Sequence, residues 1–111
     1  MDIETLIKKQ IADNSVILYM KGTPQFPQCG FSARTVEALT QVGEPFAYVN
    51  ILENPEIRST LPRIANWPTF PQLWVNGELV GGCDIVMELA RSGELNGILK
   101  GAAKPAASAQ G

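Results

Sequence analysis

The run Val16-Ile17-Leu18-Tyr19-Met20, the loop from Lys21 to Gln28 and the tetrapeptide Cys29-Gly30-Phe31-Ser32 form one continuous unit. Five apolar residues in a row, rich in β-formers, predict a buried strand rather than a half-solvated one. The loop holds two prolines and a glycine and breaks regular structure. A helix follows from about Gly30, with Phe31, Val36 and Leu39 expected inward and Gly43 as its C-terminal stop. Phe46 to Ile51 reads as a second strand. A strand–helix–strand unit of this length is a right-handed crossover, so the two strands are parallel.

Upstream, Ile3, Leu6, Ile7 and Ile11 recur at helical spacing, ended by Asn14-Ser15. Downstream, Asn54-Pro55 starts a helix, with Asn as the cap and Pro at the first helical position. Ile57, Leu61 and Ile64 form its apolar face, and Pro62 is expected to break or kink it. After Trp67-Pro68-Thr69-Phe70-Pro71 comes a hairpin, Leu73-Trp74-Val75, the turn Asn76-Gly77, and Leu79-Val80, an antiparallel pair. Gly81-Gly82 leads into a last helical region with Ile85, Val86 and Leu89 inward and a break near Gly93. The order predicts an α/β domain over residues 1–100: a four-stranded mixed sheet flanked by helices on both faces, the thioredoxin-like fold. Residues 101–111, mostly Ala, Gly, Pro, Ser and Gln, are expected to form a disordered tail.

At 111 residues the chain fits one core. A net charge of −2 gives no electrostatic case for nucleic acid as a primary partner. Apolar runs of about five residues fall far short of the ~20 that span a bilayer, so no membrane role is expected. Met1-Asp2-Ile3-Glu4 lacks the basic-then-apolar form of a signal peptide. Two cysteines do not make a disulfide framework, and a reducing cytoplasm is the expected location. There is no histidine, which excludes histidine-based metal sites, Ser-His triads and Cys-His dyads within one chain.

The chemistry centres on Cys29. In a Cys-x-x-Cys redox motif a second thiol three residues on resolves the mixed disulfide, and here that position is Ser32. A thiol with no local partner takes a soluble thiol such as glutathione or uses its sulfur to hold a metal. The helix start and Lys21 one loop away both favour thiolate. Pro71 reads either as a strand-entry proline or, given the thioredoxin-like fold, as a cis proline that faces the active cysteine and turns the carbonyl and N–H of Phe70 outward to pair with an extended peptide. Gly81-Gly82-Cys83-Asp84 reads either as a turn with a capping aspartate or as a backbone nest for a carboxylate, with Asp84 holding an ammonium. Lys21 and Arg58 are either solvated surface charges or a grip on a second carboxylate. Glutathione, with two carboxylates and one ammonium, matches this set. Cys83 is either a buried structural thiol or a distant second redox cysteine.

Lys21-Gly22, the loop to Cys29-Gly30-Phe31-Ser32, Trp67-Pro68-Thr69-Phe70-Pro71 and Gly81-Gly82-Cys83-Asp84 occur in an order that resembles a single-domain, bacterial-type CGFS monothiol glutaredoxin, over roughly residues 3 to 99. The resemblance implies that Lys21 and Arg58 bind the glycine carboxylate of glutathione. It implies that Phe70 pairs through its backbone with the cysteinyl part, and that Cys83 and Asp84 hold the γ-glutamyl end. It further implies a [2Fe-2S] cluster shared between two protomers in a homodimer, ligated by Cys29 of each and two glutathione thiolates, and passed to apo iron–sulfur acceptor proteins. A BolA-like protein is an alternative partner sharing the cluster. Reduction of glutathione mixed disulfides through Cys29 is a second activity, typically weak in such proteins.

Overall fold

The computed structural model describes the backbone of residues 2–110 and the side chains of residues 2–102. Helix α1 (Ile3–Asp13) leads into strand β1 (Val16–Met20), helix α2 (Gly30–Val42) and strand β2 (Ala47–Asn50). Helix α3 (Pro55–Ala65), the hairpin β3 (Gln72–Val75) and β4 (Glu78–Gly81), and helices α4 (Cys83–Ser92) and α5 (Glu94–Gln110) follow. The sheet order is β2-β1-β3-β4, with β1 parallel to β2 and antiparallel to β3. This is the expected thioredoxin-like arrangement. Asn76 and Gly77, both with positive φ, make the tight turn that the Asn-Gly pair predicts.

The two faces of β1 explain its unbroken apolar run. Val16, Leu18 and Met20 face a core built with α2, α4 and α5, while Ile17 and Tyr19 face a second core with α1 and α3. Both faces are therefore dry, and alternation would have exposed nothing. Tyr19 keeps its hydroxyl satisfied by donating to Gln10 Oε1 at 2.8 Å, and burial pushes its pKa far up.

Three expectations need correction. Phe31 and Ile85 do not point inward: they are 54% and 38% exposed. On α2 the inward stripe is Ser32, Thr35, Val36 and Leu39, at helical spacing, with polar residues in its first two places. On α4 the stripe runs through Cys83 and Val86, which leaves Ile85 to one side. Pro62 does not end α3, which continues to Ala65. Its missing N–H costs one bond in the last turn, and Asn66, in the left-handed region at φ 54, closes the helix. The last helical region breaks at Gly93 (φ 85) as expected, and α5 follows from Glu94 to Gln110. Ala102 is buried in the core beside Leu95 and Leu99; the remainder of the expected tail, residues 103–111, lies outside the residues whose side chains are described. Among the described residues no helix is long and apolar enough to cross a membrane.

Candidate functional site

A cleft of about 700 Å³ opens where the C-terminal end of β1 meets the starts of α2 and α4. Lys21, Cys29, Arg58, Phe70, Cys83 and Asp84, scattered over more than sixty positions of sequence, all line it. Parallel strand–helix units deliver their loops to one edge of the sheet, and this edge is where such folds place ligands.

Cys29 is the N-cap of α2, in extended backbone at φ −155 and ψ 138. Its thiol is partly exposed. No hydrogen bond of full geometry caps the helix, yet the N–H groups of Ser32 and Phe31 lie close enough to stabilise negative charge on the sulfur. Burial pushes the thiol pKa up; those two N–H groups, the Lys21 ammonium and the Ser32 hydroxyl outweigh it and hold the thiol below its ordinary value. Ser32 is fully buried, and its oxygen accepts the Lys21 N–H at 3.1 Å. The residue that cannot resolve a disulfide thus ties the end of β1 to the helix start and lends its hydroxyl to the thiolate. A Cβ at Gly30 would meet nothing within 4 Å, so the first residue of α2 faces open space.

The loop ahead of Cys29 is closed on itself. Thr23 and Phe26 exchange N–H···O bonds of 3.2 and 3.0 Å, Gly22 bridges Pro27, and the Gln28 N–H donates to Lys21 O at 2.9 Å. Gly22 sits at φ 94, where a Cβ would lie 2.5 Å from Phe26 O, so only glycine fits. The opposite wall is the Trp67–Pro71 segment, and the Phe70–Pro71 peptide is cis as expected. Cys83 and Asp84 begin α4 behind the N-cap Gly82, which has no side-chain cap. Asp84 is therefore exposed in the first turn and does not cap the helix, while the first N–H groups of α4 have no side-chain partner among the described residues. Two helix N-termini converge on the cleft, and each favours negative charge. Lys21, Arg58 and Asp84 form no ion pair among the described residues.

Sequence reading missed one buried support. Gln72 is fully buried, and its amide donates to Trp67 O at 3.0 Å and Thr69 O at 3.3 Å while accepting from Trp74 Nε1 at 3.2 Å. It braces the Trp67–Phe70 wall from behind. A glutamine inside the apolar run Pro71-Gln72-Leu73-Trp74-Val75 was the available signal, since a buried amide must find partners.

A family model described as glutaredoxin matches residues 16–80. Glutaredoxin 4 of Buchnera aphidicola subsp. Acyrthosiphon pisum is 63% identical over 99 residues, covering 89% of this chain and 92% of that protein. The structure of reduced apo GrxS14 from poplar is 47% identical at a TM-score of 0.77, covering 90% of this chain and 92% of that one. The holo form of glutaredoxin C1 from Populus tremula x tremuloides is 28% identical at a TM-score of 0.79, covering 89% and 87%. A model match over more than half of the chain, a relative this similar over nearly its whole length, and a serine where a second thiol would stand together mean that the chain belongs to the glutaredoxin family, as a monothiol member.

Proposed function

We propose that this protein carries a [2Fe-2S] cluster between two protomers and transfers it to apo iron–sulfur acceptor proteins, with glutathione as co-ligand. One observation carries the reading: a single partly exposed thiol, with its pKa lowered, lines a cleft charged to match glutathione. Lys21 and Arg58 take the glycine carboxylate, the Phe70 backbone takes the cysteinyl part, and the start of α4 at Cys83 and Asp84 takes the γ-glutamyl carboxylate and ammonium. The glutathione sulfur then lies beside Cys29. Among the described residues no three His, Cys, Asp or Glu side chains come together as a metal site. In this proposal two Cys29 residues and two glutathiones supply the four thiolates of the cluster. The cluster is cargo, and this chain's part is to hold its thiolate, orient glutathione and leave the sulfur accessible. A cytoplasmic location and pairing with a BolA-like protein in place of a second copy belong to the same proposal. The test is anaerobic reconstitution with iron and sulfide, with and without glutathione, read by visible absorbance and molecular mass. A chromophoric dimer that needs glutathione is expected. Full cluster content in a monomer, or without any small thiol, would refute the shared-cluster reading.

The lowered Cys29 pKa also favours a second activity. The Cys29 thiolate attacks the glutathione sulfur of a mixed disulfide, forming a Cys29–glutathione disulfide and releasing the substrate as thiolate. A second glutathione thiolate then attacks that disulfide, giving oxidised glutathione and restoring Cys29. Turnover well below that of a dithiol glutaredoxin in the same assay is expected; equal turnover would favour the enzyme over the carrier.

A further inference from the structure

We infer that Asn50, at the end of β2, is a positioning residue that sets the two cations of the cleft at the spacing a terminal carboxylate requires; this rests on the proposed glutathione site. Lys21 and Arg58 lie on elements distant in sequence, a loop after β1 and the first turns of α3. Asn50 joins them. Its Oδ1 accepts the Gly22 N–H at 2.9 Å and the Leu52 N–H at 3.0 Å, fixing the residue next to Lys21. Its backbone carbonyl accepts from Asn54 Nδ2 at 2.8 Å. Asn54 is the N-cap of α3, and its own carbonyl accepts the Arg58 N–H at 3.0 Å. The cap residue spends its amide on Asn50 and makes no side-chain cap to its own helix. The Nδ2 bond ties the turn that bears Arg58 to the end of β2. Gly22, at φ 94 with no room for a Cβ, holds a conformation that only glycine takes at this place. The chain Lys21–Gly22···Asn50···Asn54···Arg58 is thus continuous through short bonds, and neither cation is held by an ion pair among the described residues. A long side chain gains a defined carboxylate geometry only where its backbone is fixed.

The role predicts selectivity for the glycine carboxylate, which γ-glutamylcysteine lacks. The full-length chain is equilibrated with glutathione and its disulfide, and separately with γ-glutamylcysteine and its disulfide. The Cys29 adduct is quantified by intact mass and peptide mapping. The wild type should prefer glutathione by about ten-fold, the scale of a charge-assisted contact. Asn50→Ala should reduce that preference to about two-fold by weakening the glutathione adduct alone, and Asn54→Ala should fall between, since it frees only Arg58. If Asn50→Ala does not fold, Asn54→Ala decides the question by itself. No preference in the wild type would overturn the assignment of Lys21 and Arg58 to the glycine carboxylate. Full preference retained in the variants, or equal weakening of both adducts, would overturn the role of Asn50 and leave that assignment standing.

Discussion

Two cysteines stand at two helix starts on one cleft, and they are chemically unlike. Cys29 is the N-cap of α2, outside the helix, so its sulfur can face the free N–H groups of Phe31 and Ser32. Cys83 is the first residue inside α4, behind the N-cap Gly82, and is 8% exposed. Its side chain belongs to the helix's inward stripe with Val86. Cys29 takes the cap position, where a side chain folds back over the first turn and meets its free N–H groups. The approach to each helix is also built around one glycine. Gly22 (φ 94) closes the loop before Cys29, and Gly81 (φ 147) lets the chain pass Ile85, whose Cδ1 would lie 2.6 Å from a Cβ there.

Serine exchange at the two thiols should have the largest effect. Cys29→Ser is expected to abolish both the glutathione adduct and the reconstituted chromophore, while Cys83→Ser keeps most of each. Intact mass and visible absorbance read the outcome, and two variants that behave alike would sink the distinction between cap and first-turn thiols.

Backbone substitution comes next. Gly22→Ala meets both an unfavourable φ and a backbone clash, and should cost about 2–4 kcal/mol in urea unfolding. Gly30→Ala has open space and an ordinary φ, and should lie within about 0.5 kcal/mol of wild type. Equal costs would show that the loop before Cys29 is not the rigid element its hydrogen bonds make it.

A smaller loss is expected from the cleft's charges. Arg58→Ala should weaken the glutathione adduct by about 1–3 kcal/mol without shifting the unfolding midpoint, because Arg58 is exposed. An unchanged exchange constant with glutathione disulfide would remove Arg58 from the site.

The subtlest test concerns the thiolate itself. Cys29 alkylation by iodoacetamide should persist below the ordinary thiol pKa of ~8.5 and fall as pH drops through its lowered value. The same depression adds stability that is present above the ordinary value and lost on acidification. Ser32→Ala should move the alkylation midpoint upward, since it removes a hydroxyl that favours the thiolate and frees the Lys21 N–H. A midpoint unmoved in that variant would leave the N–H groups and Lys21 as the whole cause.

Much of the cleft was readable before folding because its parts are local signals. A cysteine after a strand and before a helix, Pro71 before a strand, and paired glycines before Asp84 each carry a backbone meaning of their own. The burial of Ser32, Thr35 and Gln72 is not legible in the sequence, because apolar periodicity counts polar residues as exposed. Phe31 was misplaced for the same reason, since the helix turned its polar neighbour inward instead. Pro62 does not break α3 because a proline in a last turn forfeits one bond, which the Asn66 cap and the Trp67 N–H to Pro62 O bond, 3.0 Å, help to offset.

The element order, the parallel crossover, the hairpin and the place of Cys29 between a strand and a helix are all legible in the sequence, because strand and helix periods, turn residues and cap preferences act over a few neighbours. Only the tertiary structure decided which of two helix-start cysteines is buried, that Gln72 braces the cleft wall, and that Asn50 links the loop of Lys21 to the helix of Arg58. Those outcomes depend on partners tens of residues apart meeting at hydrogen-bond distance, and no local pattern records which donor will find which acceptor once the two cores have closed on either side of β1.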